Sequence, residues 1–107
     1  MGKMQRTKGH NFEREIAVAL RVIFPEAKRN ITEQQTGNQG IDLIDTGNLA
    51  VQCKRHKRYV PITKINEING NGKIPVLITK GDRLPSMVVL SLNDFIGILQ
   101  DVGIVYT

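Results

Sequence analysis

Asn38-Gln39-Gly40-Ile41-Asp42-Leu43-Ile44-Asp45-Thr46-Gly47-Asn48-Leu49-Ala50-Val51-Gln52-Cys53-Lys54-Arg55 is the stretch on which the fold turns. Two apolar runs flank a polar Asp-Thr-Gly-Asn break, the pattern of two short strands joined by a Gly-containing turn. Three polar residues, Asp42, Gln52 and Lys54, are set into those runs, where a plain core hairpin would not need them. Side chains alternate along a strand, so Gln52 and Lys54 share one face and Val51 and Cys53 the other. With Gly47 at the centre of the turn, Asp42 stands opposite Gln52 and all three polar groups converge. A two-residue Thr46-Gly47 loop with regular pairing would instead set Asp42 across from Val51, turn Gln52 to the other face and undo the metal site. Converged, an acid, an amide oxygen and an ammonium suit a hard metal ion and a phosphate.

Gly40-Ile41-Asp42-Leu43 followed by Val51-Gln52-Cys53-Lys54-Arg55 resembles the active-site hairpin of the PD-(D/E)XK nucleases. The variant it resembles is the Mrr-type restriction endonuclease pattern, in which Gln replaces the acid of the E-x-K element. Upstream, Lys8-Gly9-His10-Asn11-Phe12-Glu13-Arg14-Glu15 is similar to the opening of archaeal-type Holliday junction resolvases, Lys-Gly and then Glu-Arg-Glu on the first helix. Gly72-Lys73-Ile74-Pro75-Val76-Leu77-Ile78 is similar to a later strand of that family. The matches follow the family's order and span most of the chain.

The resemblance implies a single-domain α/β restriction-endonuclease-like fold, with an αβββαβ core and a mixed sheet of about five strands flanked by helices. It implies a magnesium-dependent endodeoxyribonuclease, manganese substituting, with Glu13, Asp42, Gln52 and Lys54 as the catalytic set. Asp42 would be the central metal ligand, joined by Gln52 through its amide oxygen, by the Cys53 carbonyl and by Glu13. Lys54 would orient or activate the attacking water and offset phosphate charge. The resolvase likeness further implies a homodimer that cuts branched DNA in recombination. Gln52 is the departure, because it removes one negative charge from the metal site.

At 107 residues the chain has the length of one domain, 1–107, with a single core. A 40% apolar and 23% charged composition is that of a soluble globular protein. No apolar run approaches the ~20 residues that span a bilayer, and the first residues lack the apolar region of a signal peptide. The expectation is therefore cytoplasmic, within a prokaryotic or viral host, with no membrane partner and no small-molecule cofactor. One cysteine cannot make an internal disulfide, and Cys53 reads as a small buried hydrophobe.

The net charge of +5 is unevenly placed. Residues 1–64 hold twelve Lys/Arg against six Asp/Glu, and residues 65–107 hold three against four. A basic half points to a polyanion, most often nucleic acid, although a merely soluble basic surface has the same composition. With only Tyr59, Tyr106 and three Phe, stacking on unpaired bases is a poor fit. Backbone contact with duplex or branched DNA fits better.

Residues 1–9 read as a flexible basic arm carrying Lys3, Arg6 and Lys8, or as a terminus with no role. A helix follows from Asn11, as N-cap, to about Phe24, with Phe12, Ile16, Leu20 and Ile23 as its apolar stripe. Glu13 and Glu15 suit the positive end of that helix whether or not Glu13 meets a metal. Pro25 ends it, and Ala27 to Thr32 is a weak strand bearing Lys28 and Arg29. The polar loop Glu33 to Gly40 is either a substrate-contacting loop or an ordinary connection. Lys54-Arg55-His56-Lys57-Arg58 is the densest charge cluster; His56 has no ligand-spaced His or Cys, which argues against zinc. Lys3, Arg6, Lys8, Arg14, Lys28, Arg29, Gln35, Arg55, Lys57 and Arg58 are the expected DNA contacts. Pro61 opens a short helix that Asn69-Gly70-Asn71-Gly72 closes, and strands are expected over Pro75–Thr79 and Met87–Leu90. Ser91 caps a last helix with stripe Leu92, Phe95, Ile96 and Leu99, ended by Gly103. The apolar tail Ile104-Val105-Tyr106 reads as an edge strand or a contact with a second subunit.

These features lead to a metal-dependent endonuclease, and the lack of a separate reader module favours recognition of DNA shape, hence branched DNA. Three other readings stay open. One is a Mrr-like nuclease of different specificity, and another is a catalytically weak DNA-binding protein that keeps the fold. The last is a basic structural domain whose polar trio is coincidental.

Overall fold

Helix α1 runs over Lys3–Leu20 in the computed structural model, which describes residues 3–31 and 40–103. Phe12, Ile16 and Ala17 are its buried stripe, with Leu20 half-buried one turn on, so one face meets the sheet. The helix begins well before Asn11. Residues 3–9, expected as a flexible arm, are its first turns, and Asn11 lies inside it rather than at its cap. It also stops earlier than expected. Ile23 and Phe24 both donate to the Leu20 carbonyl, closing the end before Pro25, and Val22 and Ile23 face solvent.

Strand β1 is only Lys28–Arg29, shorter than the sequence suggested, and pairs antiparallel with β2, Leu43–Ile44. The turn after β2 carries Asp45 and Gly47 at positive φ. A side chain at Gly47 would also collide with the Phe24 ring, 2.7 Å from where its Cβ would stand. Thr46 closes the turn: its carbonyl accepts from Leu49 N–H at 3.1 Å, and its buried hydroxyl donates to the Leu49 carbonyl at 2.9 Å.

Strand β3, Leu49–Arg55, is parallel to β4, Ile74–Lys80, in a register that sets Val51 beside Val76, Gln52 beside Leu77, and Arg55 beside Lys80. A parallel pair needs a crossover; here it contains a 3-10 helix, Ile62–Glu67, with Pro61 at its N-cap. That short helix was expected, although not its tighter winding. Strand β5, Met87–Val89, returns antiparallel on β4. Helix α2, Leu92–Asp101, starts at Ser91, whose hydroxyl accepts from Asp94 N–H at 3.1 Å, and Gly103 follows it at positive φ.

The class is α/β, with five strands and flanking helices among the described residues. The expected single sheet is instead two, β1-β2 and β3-β4-β5. A main-chain hydrogen bond links them, from Asp42 N–H to the Val51 carbonyl at 2.8 Å. Both faces of β3-β4 are covered. Val51, Cys53, Val76 and Ile78 pack under α1 with Leu43, whereas Ala50 and Leu77 pack with Ile68 and Ile65 beside the 3-10 helix. Burying a side chain such as Leu77 contributes about 1.5–3 kcal/mol, so α1 and the crossover hold the central strands from opposite sides. No helix among the described residues is long and apolar enough to cross a membrane.

Candidate functional site

The even residues of β3 are committed to β4. His56 N–H, continuing their alternation, donates to the Lys80 carbonyl at 3.2 Å. The odd residues therefore aim their N–H and C=O groups at the other edge, toward β2. Asp42 meets them there. Its own N–H reaches the Val51 carbonyl, and its Oδ2 accepts from Cys53 N–H at 2.8 Å. The expected opposition of Asp42 and Gln52 is thus corrected: Asp42 faces Val51, because Gln52 turns its main chain to β4, and the register does not bring Asp42 and Gln52 together on one face as the expected metal site required. The strands do not continue as a ladder past this point. The Asp42 carboxylate takes the Cys53 N–H that a further β2 residue would have bonded, and the Cys53 carbonyl lies on that same edge.

Gln52 and Lys54 share the opposite face from Cys53, as the alternation requires. Gln52 is 4% exposed, and its Oε1 is a buried acceptor with no hydrogen-bond partner among the described residues. Such an atom costs stability unless something else satisfies it. Gly40, at φ 71°, brings the incoming chain against this amide, where an added Cβ would stand 3.0 Å from Gln52 Nε2 and 3.0 Å from the Glu67 carbonyl. Lys54 is half-buried, and its charge reaches the Glu67 carboxylate, which the hydrogen bond from Lys64 at 3.0 Å chiefly holds below its usual range.

Glu13 comes from α1, nearly buried, and its Oε1 accepts from Arg29 Nε at 3.1 Å. Burial pushes the Cys53 thiol well above its ordinary value, and the charges of Asp42 and then Glu13 push it the same way. Both carboxylates therefore lie within electrostatic reach of one thiol, and Cys53 stays protonated, as its reading as a buried hydrophobe expects. Arg29 is drawn inward onto Glu13 rather than left on the surface.

The other cations divide. Lys28 pairs with Asp45 at 3.4 Å, and Arg14 donates to the Asn11 side chain on the exposed side of α1. Lys3 and Arg6 lie on the first turns of α1, whereas Gln35 falls outside the described residues, as do most of the Glu33–Gly40 loop and the Ile104–Tyr106 tail. Lys8, Lys54, Arg55, His56, Lys57 and Arg58 line one open cleft of about 890 Å³, and among the described residues no carboxylate lines it. It opens past the carboxyl end of β3, where ligands commonly bind parallel α/β sheets.

Asp82, which the sequence did not single out, closes one side of this cluster. Its Oδ1 takes Arg55 Nη1 at 2.8 Å and Lys8 Nζ at 3.3 Å. The signal was available only through the β3-β4 register, since Asp82 follows Lys80, the neighbour of Arg55.

No three His, Cys, Asp or Glu side chains among the described residues converge as a metal-ligand cluster. The donors along the β2-β3 edge are the Asp42 carboxylate and the Cys53 carbonyl, and the unsatisfied Gln52 amide oxygen lies on the opposite face of β3 from the Cys53 side chain. All are hard oxygens, the type that magnesium takes together with water. On that chemistry Asp42 and the Cys53 carbonyl suit a hard dication, while Gln52 Oε1 is a donor of the same type on the other face of β3. No protein-family model matches the chain, and neither a curated protein nor a solved structure matches it.

Proposed function

We propose that the chain is a divalent-metal-dependent endonuclease that hydrolyses the phosphodiester backbone of DNA, with a restriction-endonuclease-like fold and a preference for branched substrates. The observation that carries this reading is Gln52 Oε1, a buried oxygen without a hydrogen-bond partner among the described residues, two residues from Lys54, which lines a cleft of cations. A buried amide that served packing alone would have its acceptor satisfied. One that holds an ion from solution need not.

In this reading Asp42 and the Cys53 carbonyl would hold magnesium, or manganese in its place, with the Gln52 amide oxygen turned toward the same ion, and the metal would supply Lewis-acid stabilisation of the charge developing on the phosphate. One oxygen of the Asp42 carboxylate is held by Cys53 N–H, which fixes the orientation of the group. Lys54 offsets charge on the scissile phosphate and orients the attacking water. Glu13 adds negative charge from α1 and partly compensates for the neutral Gln52. Lys8, Arg55, Lys57 and Arg58 hold the backbone in the cleft. A second copy of the chain, packed on the exposed apolar row of α2, provides the second centre that paired cuts need.

The ion pair from Arg29 onto Glu13 favours a second reading, a DNA-binding protein that keeps the site without hydrolysis, because it ties up one of the two acids. Incubating the protein with linear, nicked, flapped and four-way DNA, with magnesium or with EDTA, separates the two. Magnesium-dependent products, most from the four-way substrate, support the nuclease. Retention of DNA in EDTA with no product in magnesium supports the binding protein.

A further inference from the structure

The basic cleft is splinted from one side by the turn after β4. Asp82 N–H donates to the Lys57 carbonyl at 2.9 Å, and Tyr59 donates its hydroxyl to the Pro85 carbonyl at 2.7 Å. At Gly81 the two segments press together, so that an added Cβ would stand 3.1 Å from Arg58 Cα and 3.2 Å from the Lys57 carbonyl. Residues 81–85 therefore run along 55–59 as a brace. From this brace Asp82 extends a carboxylate to Arg55, whose side chain is only 14% exposed, and to Lys8 of α1. Lys57 and Arg58, by contrast, are exposed and pair with no acid among the described residues.

We propose that Asp82 is a positioning residue: from the turn after β4 it holds Arg55 and Lys8 in the wall of the cleft, so that both meet one stretch of phosphodiester backbone. This rests on the DNA reading above and names what sets the geometry of its binding surface. Arg55 and Lys8 come from β3 and α1, and one oxygen, Oδ1, is common to both. Without it Lys8 is free to swing away and Arg55 keeps, among the described residues, only the local hydrogen bond from Nη1 to the His56 carbonyl at 2.5 Å, so ordering both again on DNA costs rotamer entropy. The guanidinium has donors beyond the one given to Asp82, so it can hold the carboxylate and a phosphate together.

The sign of one substitution separates positioning from simple charge. A carboxylate beside a phosphate site repels DNA, so if Asp82 acted only by its charge, Asp82→Asn would tighten binding. Positioning predicts the reverse. With a labelled mixed-sequence duplex and a labelled four-way junction in EDTA, fluorescence anisotropy should show Asp82→Asn binding about 3- to 10-fold more weakly, with a salt slope smaller by about one phosphate contact. In an Arg55→Ala, Lys8→Ala background the same change should shift affinity by less than about twofold, since there is nothing left to hold. Asp82→Glu should recover part of the loss, and thermal melts should show all variants folded.

Equal or tighter binding by Asp82→Asn overturns the proposal and leaves the DNA reading standing. So does an unchanged loss in the Arg55→Ala, Lys8→Ala background. A parent protein that retains neither DNA overturns the DNA reading and this proposal with it.

Discussion

The carboxylate of Asp42 accepts a 2.8 Å hydrogen bond from the main-chain N–H of Cys53, at the place where β2 and β3 part. One side chain thus finishes the edge of a strand and, in the proposed site, would hold the metal. The two tasks separate on substitution. Asp42→Asn keeps a side-chain acceptor for Cys53 N–H, whereas Asp42→Ala leaves that donor unpaired at a buried residue. Urea unfolding should show Ala destabilised by about 1–3 kcal/mol, and Asn by clearly less. Equal losses would mean that the hydrogen bond does not hold the edge.

Gln52 gives a second contrast, between stability and function. Replacing an unsatisfied buried amide by an apolar side chain of similar volume removes a desolvation cost. Gln52→Leu is therefore expected to match or exceed the parent in stability, by up to about 1 kcal/mol, while magnesium-dependent cleavage is lost. Gln52→Glu should keep cleavage at some level, because the carboxylate restores a hard ligand. A Gln52→Leu variant that cleaves like the parent removes Gln52 from the site.

The fold was legible where periodicity and punctuation agree. Pro61, Ser91 and Gly103 mark element ends that the chain does form, and β4, β5 and α2 fall within a residue or two of their expected ranges. Helix α1 was not bounded correctly. A polar, basic turn carries no hydrophobic period, so residues 3–9 gave no sign of joining it. The Asp42 register failed for a more specific reason. Symmetry about Gly47 takes no account of which edge of β3 is already bonded, and β4 claims the even residues. Asp82 lay beyond sequence reading because its partners, Lys8 and Arg55, are distant in the chain and meet it only through the parallel register.

Asp82 is also where acid should be felt. The hydrogen bond from Arg55, and after it Lys8, hold its carboxyl below the ordinary value of 3.8. A folded value below the unfolded one means that the ionised contact contributes fully above about pH 3.8 and is lost as pH falls through the lowered value. Carboxyl-carbon NMR should place the Asp82 titration below 3.8, and Arg55→Ala should move it upward. No movement in Arg55→Ala would show that the contact is not kept in solution.

Helix α2 leaves its apolar row exposed: Leu92 is 70%, Phe95 46% and Ile96 43% exposed, and Met87 and Val88 of β5 are exposed as well. Exposed apolar side chains in such number favour association. Light scattering should give twice the 12.0 kDa chain mass, and Phe95→Asp should return the mass to one chain while leaving the melting curve of the domain in place. A parent mass of one chain at micromolar concentration contradicts the second copy.

The most direct test is single-turnover cleavage of a labelled four-way junction in magnesium by the parent and by Asp42→Asn, with binding of the same junction measured in EDTA. The account predicts that the parent cuts, and that Asp42→Asn loses at least about a hundredfold in rate, because a neutral amide is a much poorer ligand for a hard dication. It also predicts that Asp42→Asn binds the junction as tightly as the parent or more so, since a negative charge near the phosphates is gone. Cleavage by Asp42→Asn at the parent's rate, or no cleavage by a parent that binds the junction, would contradict it.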